Sequence, residues 1–108
     1  MKQRIYDCVK QRGSVSFAEL QTLLGDEIKG EYSLTVNGNP NLILWTGVSK
    51  EFVDLMNDSI NRGIYKISKA HILSYVIDGK FLKYPIAKRP QHKYKTIHWL
   101  PVVLDLPD

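Results

Sequence analysis

The most regular alternation of apolar and polar positions falls at residues 48–67, VSKEFVDLMNDSINRGIYKI. Phe52, Leu55, Met56 and Ile60 recur at helical spacing and predict one apolar stripe. Ser49 is a suitable N-cap, and Glu51 in the first turn complements the helix dipole. Val48 and Val53 stand where a hydrophobic staple would close over the cap. Gly63 supplies the left-handed stop, and residues 64–67 leave in extended form. The opposite face carries Lys50, Asp54, Asn57, Asp58 and Asn61.

Upstream, Lys2–Arg12 reads as a helix with Met1, Ile5, Cys8 and Val9 on one side and Gly13 as its stop. Cys8 is thereby a small core side chain. After an extended Ser14-Val15, Ser16-Phe17-Ala18-Glu19 forms a capping box. Val15 and Leu20 are its staple, Phe17, Leu20 and Leu24 its buried face, Leu23 its edge and Gly25 its end. Tyr32, Leu34 and Val36 alternate with Ser33 and Thr35, the period of a half-buried strand. The turn cluster at residues 37–41 then leads to an apolar strand, Leu42–Trp45. Downstream, Asp78-Gly79 predicts a two-residue turn joining strands Ile72–Ile77 and Lys80–Tyr84, with Val76 opposite Phe81 and Tyr75 opposite Leu82. Pro85–Lys93 reads as a loop and Tyr94–Leu100 as a strand that Pro101 limits to an edge or a break. Val102–Leu106 is an apolar piece laid over the core.

Composition changes little in this picture. A chain of 108 residues with 44% hydrophobic and 24% charged residues is ordinary for one globular domain. One cysteine cannot make an internal disulfide and suits a reducing compartment. Residues 1–12 lack the pattern of a signal peptide, and no stretch reaches the roughly 20 apolar residues of a membrane span. The expectation is a soluble, cytoplasmic protein.

Charge changes more. The net +4 is unevenly spread: residues 66–95 hold eight Lys/Arg against Asp78 alone. Such a block attracts polyanions, or else serves only solubility. His71, His92 and His98 lack metal-ligand spacing, so no metal and no small-molecule cofactor is expected. His92, Lys93, Tyr94, Lys95 and His98 are the residue types of metal-free RNA cleavage, a histidine base beside lysines that hold phosphate. Scattered histidines in a basic strand are commonly non-catalytic, and the chain is read as not an enzyme. Tyr75, Tyr84, Tyr94 and Trp99, interleaved with lysines, either stack bases or pack the core.

The order of helix, short strand, capped helix, and helix running into a basic hairpin resembles the winged helix-turn-helix superfamily. The likeness covers roughly residues 3–100. It rests on Gly13-Ser14-Val15-Ser16-Phe17-Ala18-Glu19-Leu20 and on the Val48–Gly63 helix with strands directly after it. It implies an α+β domain of three helices and antiparallel β hairpins, spanning 1–108 with a hairpin insertion at about 31–46. It also implies DNA binding, with the third helix in the major groove and the hairpin region on the backbone. Lys50, Asn57 and Asn61 would then face bases, and Lys80, Lys83, Lys88, Arg89, Lys93 and Lys95 would supply a basic nucleic-acid surface. Asp54 and Asp58 repel phosphate, which shifts the contact toward the basic region or turns the helix toward a protein. The alternative is therefore a protein-interaction module or homodimer on the same scaffold.

Overall fold

A computed structural model describes residues 1–77, 79–80 and 82–107, with the side chains of Ser74 and Ile77 outside the description. Three helices run through the first sixty residues: α1 (Lys2–Arg12), α2 (Phe17–Leu24) and α3 (Lys50–Asn61). In α1, Ile5, Cys8 and Val9 are buried at helical spacing, and Gly13 closes it by donating its N–H to the Val9 carbonyl at 2.8 Å. Ser16 is extended, and its Oγ accepts the Glu19 amide at 3.1 Å, satisfying a donor the first turn of α2 would otherwise leave unpaired. The reciprocal arm expected of the capping box goes elsewhere. Ser16 is a ladder residue opposite Val103, and the Glu19 carboxylate turns outward to Arg12 at 2.9 Å. Ser49 caps α3 in the same way, accepting from the Phe52 amide at 3.1 Å.

Two three-stranded sheets complete an α+β fold. In the first, β6 (Val102–Asp105) lies between β1 (Ser14–Ser16) and β4 (Lys66–Lys69), antiparallel to both. The last apolar piece of the chain is therefore a central strand, with Val102 and Leu104 buried. The second sheet sets β3 (Asn39–Val48) between β2 (Lys29–Val36) and β5 (His98–Trp99). The β2–β3 hairpin turns at Asn37-Gly38, where Gly38 takes φ +74°, and its Leu42–Trp45 run is buried on both faces. Gly30 fits only because it has no Cβ: one would stand 2.6 Å from the Val48 carbonyl oxygen and Ser49 Cα, both backbone atoms.

The region from 70 to 100 departs from the sequence reading. The predicted strand 72–77 is a short helix, α4 (Leu73–Ile77), so no hairpin pairs Tyr75 with Leu82. Asp78 and Phe81, on which the predicted turn and the Val76–Phe81 pairing rested, lie outside the described residues. The physical reason for the helix is Tyr75. Its ring is fully buried between Trp45 (centroids 5.4 Å) and Trp99 (5.0 Å, edge to face). Its Oη accepts the Phe17 amide at 3.2 Å and donates to the Val102 carbonyl at 2.6 Å. One side chain thus joins the start of α2, the start of β6 and the aromatic core of the other sheet. The predicted strand 94–100 shortens to β5, which runs parallel to β3, because Tyr94 is drawn into the loop before it. Among the described residues, no helix is long and apolar enough to cross a membrane.

A basic loop pinned to the hairpin

The basic residues between 85 and 98 belong to a loop closed at its base by backbone. The Trp99 N–H donates to the Pro85 carbonyl and the Trp99 carbonyl accepts from the Ala87 N–H, both at 2.8 Å. Inside the loop, Tyr94 Oη accepts the amides of Lys88 and Arg89, each at 3.1 Å. The ring of Tyr94 stacks on His98 (3.9 Å, 23°) and meets His92 edge to face (4.7 Å, 71°). From outside, Asn39 Nδ2 donates to the His92 carbonyl and Asn41 Nδ2 to the Tyr94 carbonyl, both at 2.9 Å. Lys69 Nζ reaches the Lys88 carbonyl at 3.4 Å, and Lys93 Nζ the Gly38 carbonyl at 3.2 Å.

These contacts hold the loop's backbone while its charges stay in water. Lys88, Arg89, Lys93 and Lys95 are exposed, and no ion pair between described residues engages any of them. Among the described residues the ion pairs are Arg4–Glu27, Arg12–Glu19, Lys50–Asp54 and Arg62–Asp58. Beside the loop opens a groove of about 370 Å³ lined by Ile86, Lys88, Arg89, His92, Tyr94 and His98. Among the described residues no carboxylate is in that lining.

The other expected site residues lie apart. Lys80 Nζ meets the Thr22 hydroxyl against α2, and Lys83 is exposed on the connection between α4 and the loop. Lys50, at the N-terminal end of α3, bonds Asp54 at 2.8 Å, which raises its pKa above the ordinary lysine value. Asn57 and Asn61 line a cleft of about 180 Å³ against Thr35, Val36 and Asn37 of the hairpin. Asn61 Oδ1 accepts from Asn37 Nδ2 at 3.0 Å. Tyr75 and Trp99 are core, whereas Tyr84 is exposed and Tyr94 half-buried at the groove.

The parts missed from sequence are Asn39 and Asn41, hidden inside what read as turn composition; His92, Tyr94 and His98, grouped in the sequence as residue types of RNA cleavage, do come together, both imidazoles against the Tyr94 ring. Among the described residues, no three of His, Cys, Asp and Glu gather as a metal site. No protein-family model matches the chain, and neither a curated protein nor a solved structure is significantly similar to it.

Proposed function

We propose that the chain is a winged-helix-like, nucleic-acid-binding domain of the cytoplasm, DNA its first expected target, that docks through the loop at residues 88–95. The observation that carries this reading is the loop itself: four exposed cations without ion-pair partners among the described residues, on a backbone held by Asn39, Asn41 and Tyr94. A fixed array of uncompensated cations binds a phosphate backbone by releasing its counterions. The winged-helix part is supported by element order: helix, strand, helix, a short 3-10 turn, a hairpin, helix, strand, then a short helix and two last strands, with β6 between β1 and β4. In this reading β2–β3 is the insertion and the segment between β4 and β6 stands where a wing would. Base reading by α3 is not part of the proposal, because Asn61 is bonded to Asn37, Lys50 to Asp54, and Asp54 and Asp58 are exposed beside them.

Fluorescence anisotropy with a duplex at about 50 and about 200 mM salt tests it. Binding should weaken steeply, by about 0.9 on a log–log plot for each phosphate contact. Neutralising Lys88, Arg89 and Lys93 together should reduce that slope. An unchanged slope, or no binding at the lower salt, overturns the proposal. A protein-interaction reading draws on Tyr32, 52% exposed on the outer strand β2. It requires an oligomer or complex that persists at high salt.

A further inference from the structure

The groove between the basic loop and β5 contains more than phosphate attraction requires. Two imidazoles flank one phenol, and the phenol's oxygen fixes the amides of both cationic residues at the groove's edge. A solubility loop has no need of stacked rings, and lysines alone would attract a backbone. His98 Nδ1 lies 2.9 Å from the Thr96 carbonyl. A carbonyl only accepts, so Nδ1 carries the hydrogen. In the neutral ring Nε2 is then an acceptor, and it becomes a donor only in the imidazolium.

Among the described residues, the charged or titratable groups at the groove are cationic or neutral. Lys88 and Arg89 line the groove, Lys69 and Lys93 come in from β4 and the loop to backbone carbonyls, and β3 contributes the amides Asn39 and Asn41. Among the described residues no carboxylate lines the groove to pair with an imidazolium, so an anion from outside would be the partner. From this we infer that the groove seats one phosphodiester of the bound nucleic acid, with Arg89 and Lys88 as permanent donors and His92 and His98 as donors added on protonation. This rests on the nucleic-acid reading above and adds the seat and its pH response. A phosphodiester keeps its single charge throughout the range in which histidine titrates, as do lysine and arginine. Histidine is therefore the side-chain type able to make binding depend on pH there. Protonation and occupancy favour each other, so affinity rises as pH falls.

The test measures anisotropy of a short fluorescent duplex at constant salt from about pH 7.5 to about pH 5.5. Wild-type affinity should rise by about tenfold, the effect of one proton taken up over one pH unit. The His92→Gln/His98→Gln variant should bind near neutral pH and stay flat. His71→Asn should keep the wild-type response, because His71 Nδ1 only accepts the Leu73 amide at the start of α4. Should the double variant misfold, imidazole NMR of the wild-type protein serves. Adding the duplex should move the protonation midpoints of His92 and His98 upward. Binding that is independent of pH, a response retained in the double variant, or unmoved midpoints would overturn the phosphate seat while leaving loop docking intact. Absence of binding at every pH overturns both.

Discussion

The two sheets of this molecule are organised by different kinds of information. Around β1, β6 and β4, hydrophobic period and secondary structure agree: α1 and α2 bury one face each, and caps close where serines stand. Charges there are answered locally, Arg12 by Glu19 and Asp105 by Ser14 and Ser68. Around β3 and β5, the segment from 70 to 100 has little regular structure of its own. Single side chains, Tyr75, Tyr94, Asn39 and Asn41, fix it to the rest. Its cations at residues 88–95 have no ion-pair partner among the described residues. The difference teaches that a stretch with weak local preference can still be held firmly, and that such holding leaves its exposed charges available for a partner.

If Tyr75 is the tie between the two regions, removing it should have the largest effect on stability. Tyr75→Ala deletes a fully buried ring from the Trp45–Trp99 cluster and should cost about 4 kcal/mol. Against a stability of about 5–15 kcal/mol for a whole domain, that approaches unfolding. Tyr75→Phe keeps the ring but strands the Phe17 amide and the Val102 carbonyl, at a cost of about 2 kcal/mol. Urea denaturation reads both. A phenylalanine variant as stable as wild type would mean that the two regions are joined by packing alone.

A smaller and more local change tests whether the loop is held separately. Asn39 is buried, and its amide bonds the His92 carbonyl. Asn39→Ala should cost about 1 kcal/mol. The effect should be confined: amide exchange of Lys88 and Arg89 should quicken by about fivefold, while the buried amides of α1 keep their protection. Equal acceleration throughout the molecule would erase the distinction between a pinned loop and a core.

That distinction also explains how much could be read from sequence. The bounds of α1, the caps at Ser16 and Ser49 and the β2–β3 hairpin follow from local pattern, because each is decided by residues within a few positions. Ile72–Ile77 is rich in β-branched and aromatic residues and too short to express a helical period, so local pattern favours a strand. The deciding contacts come from Phe17, Val102, Trp45 and Trp99, far away in sequence. Similarly, the basic composition of 66–95 was visible, but its division was not. Lys80 packs on α2 while Lys88 and Arg89 gather with His92 and His98 around Tyr94, and only the folded chain separates the first from the rest.

The smallest expected effect concerns the charge that the first sheet does compensate. Asp105 on β6 stands opposite Ser14 of β1 and Lys66 of β4. Its two carboxylate oxygens accept from Ser14 Oγ and, at 2.7 Å, from Ser68 Oγ, so one side chain bridges both neighbouring strands. The Ser14 bond first, then the Ser68 bond, hold its pKa below the ordinary aspartate value. The unfolded chain therefore takes up this proton first on acidification. The stabilisation is full above the unfolded pKa of about 4 and is lost as pH falls through the lower folded value. Asp105→Asn should cost no more than about 1 kcal/mol near neutral pH, since the group is partly in water. The gap to wild type should close as denaturation is repeated below about pH 4. A gap constant with pH would assign the effect to lost hydrogen-bond geometry instead of charge. Binding to nucleic acid should not change, because this carboxylate serves the sheet and stands outside the loop's groove.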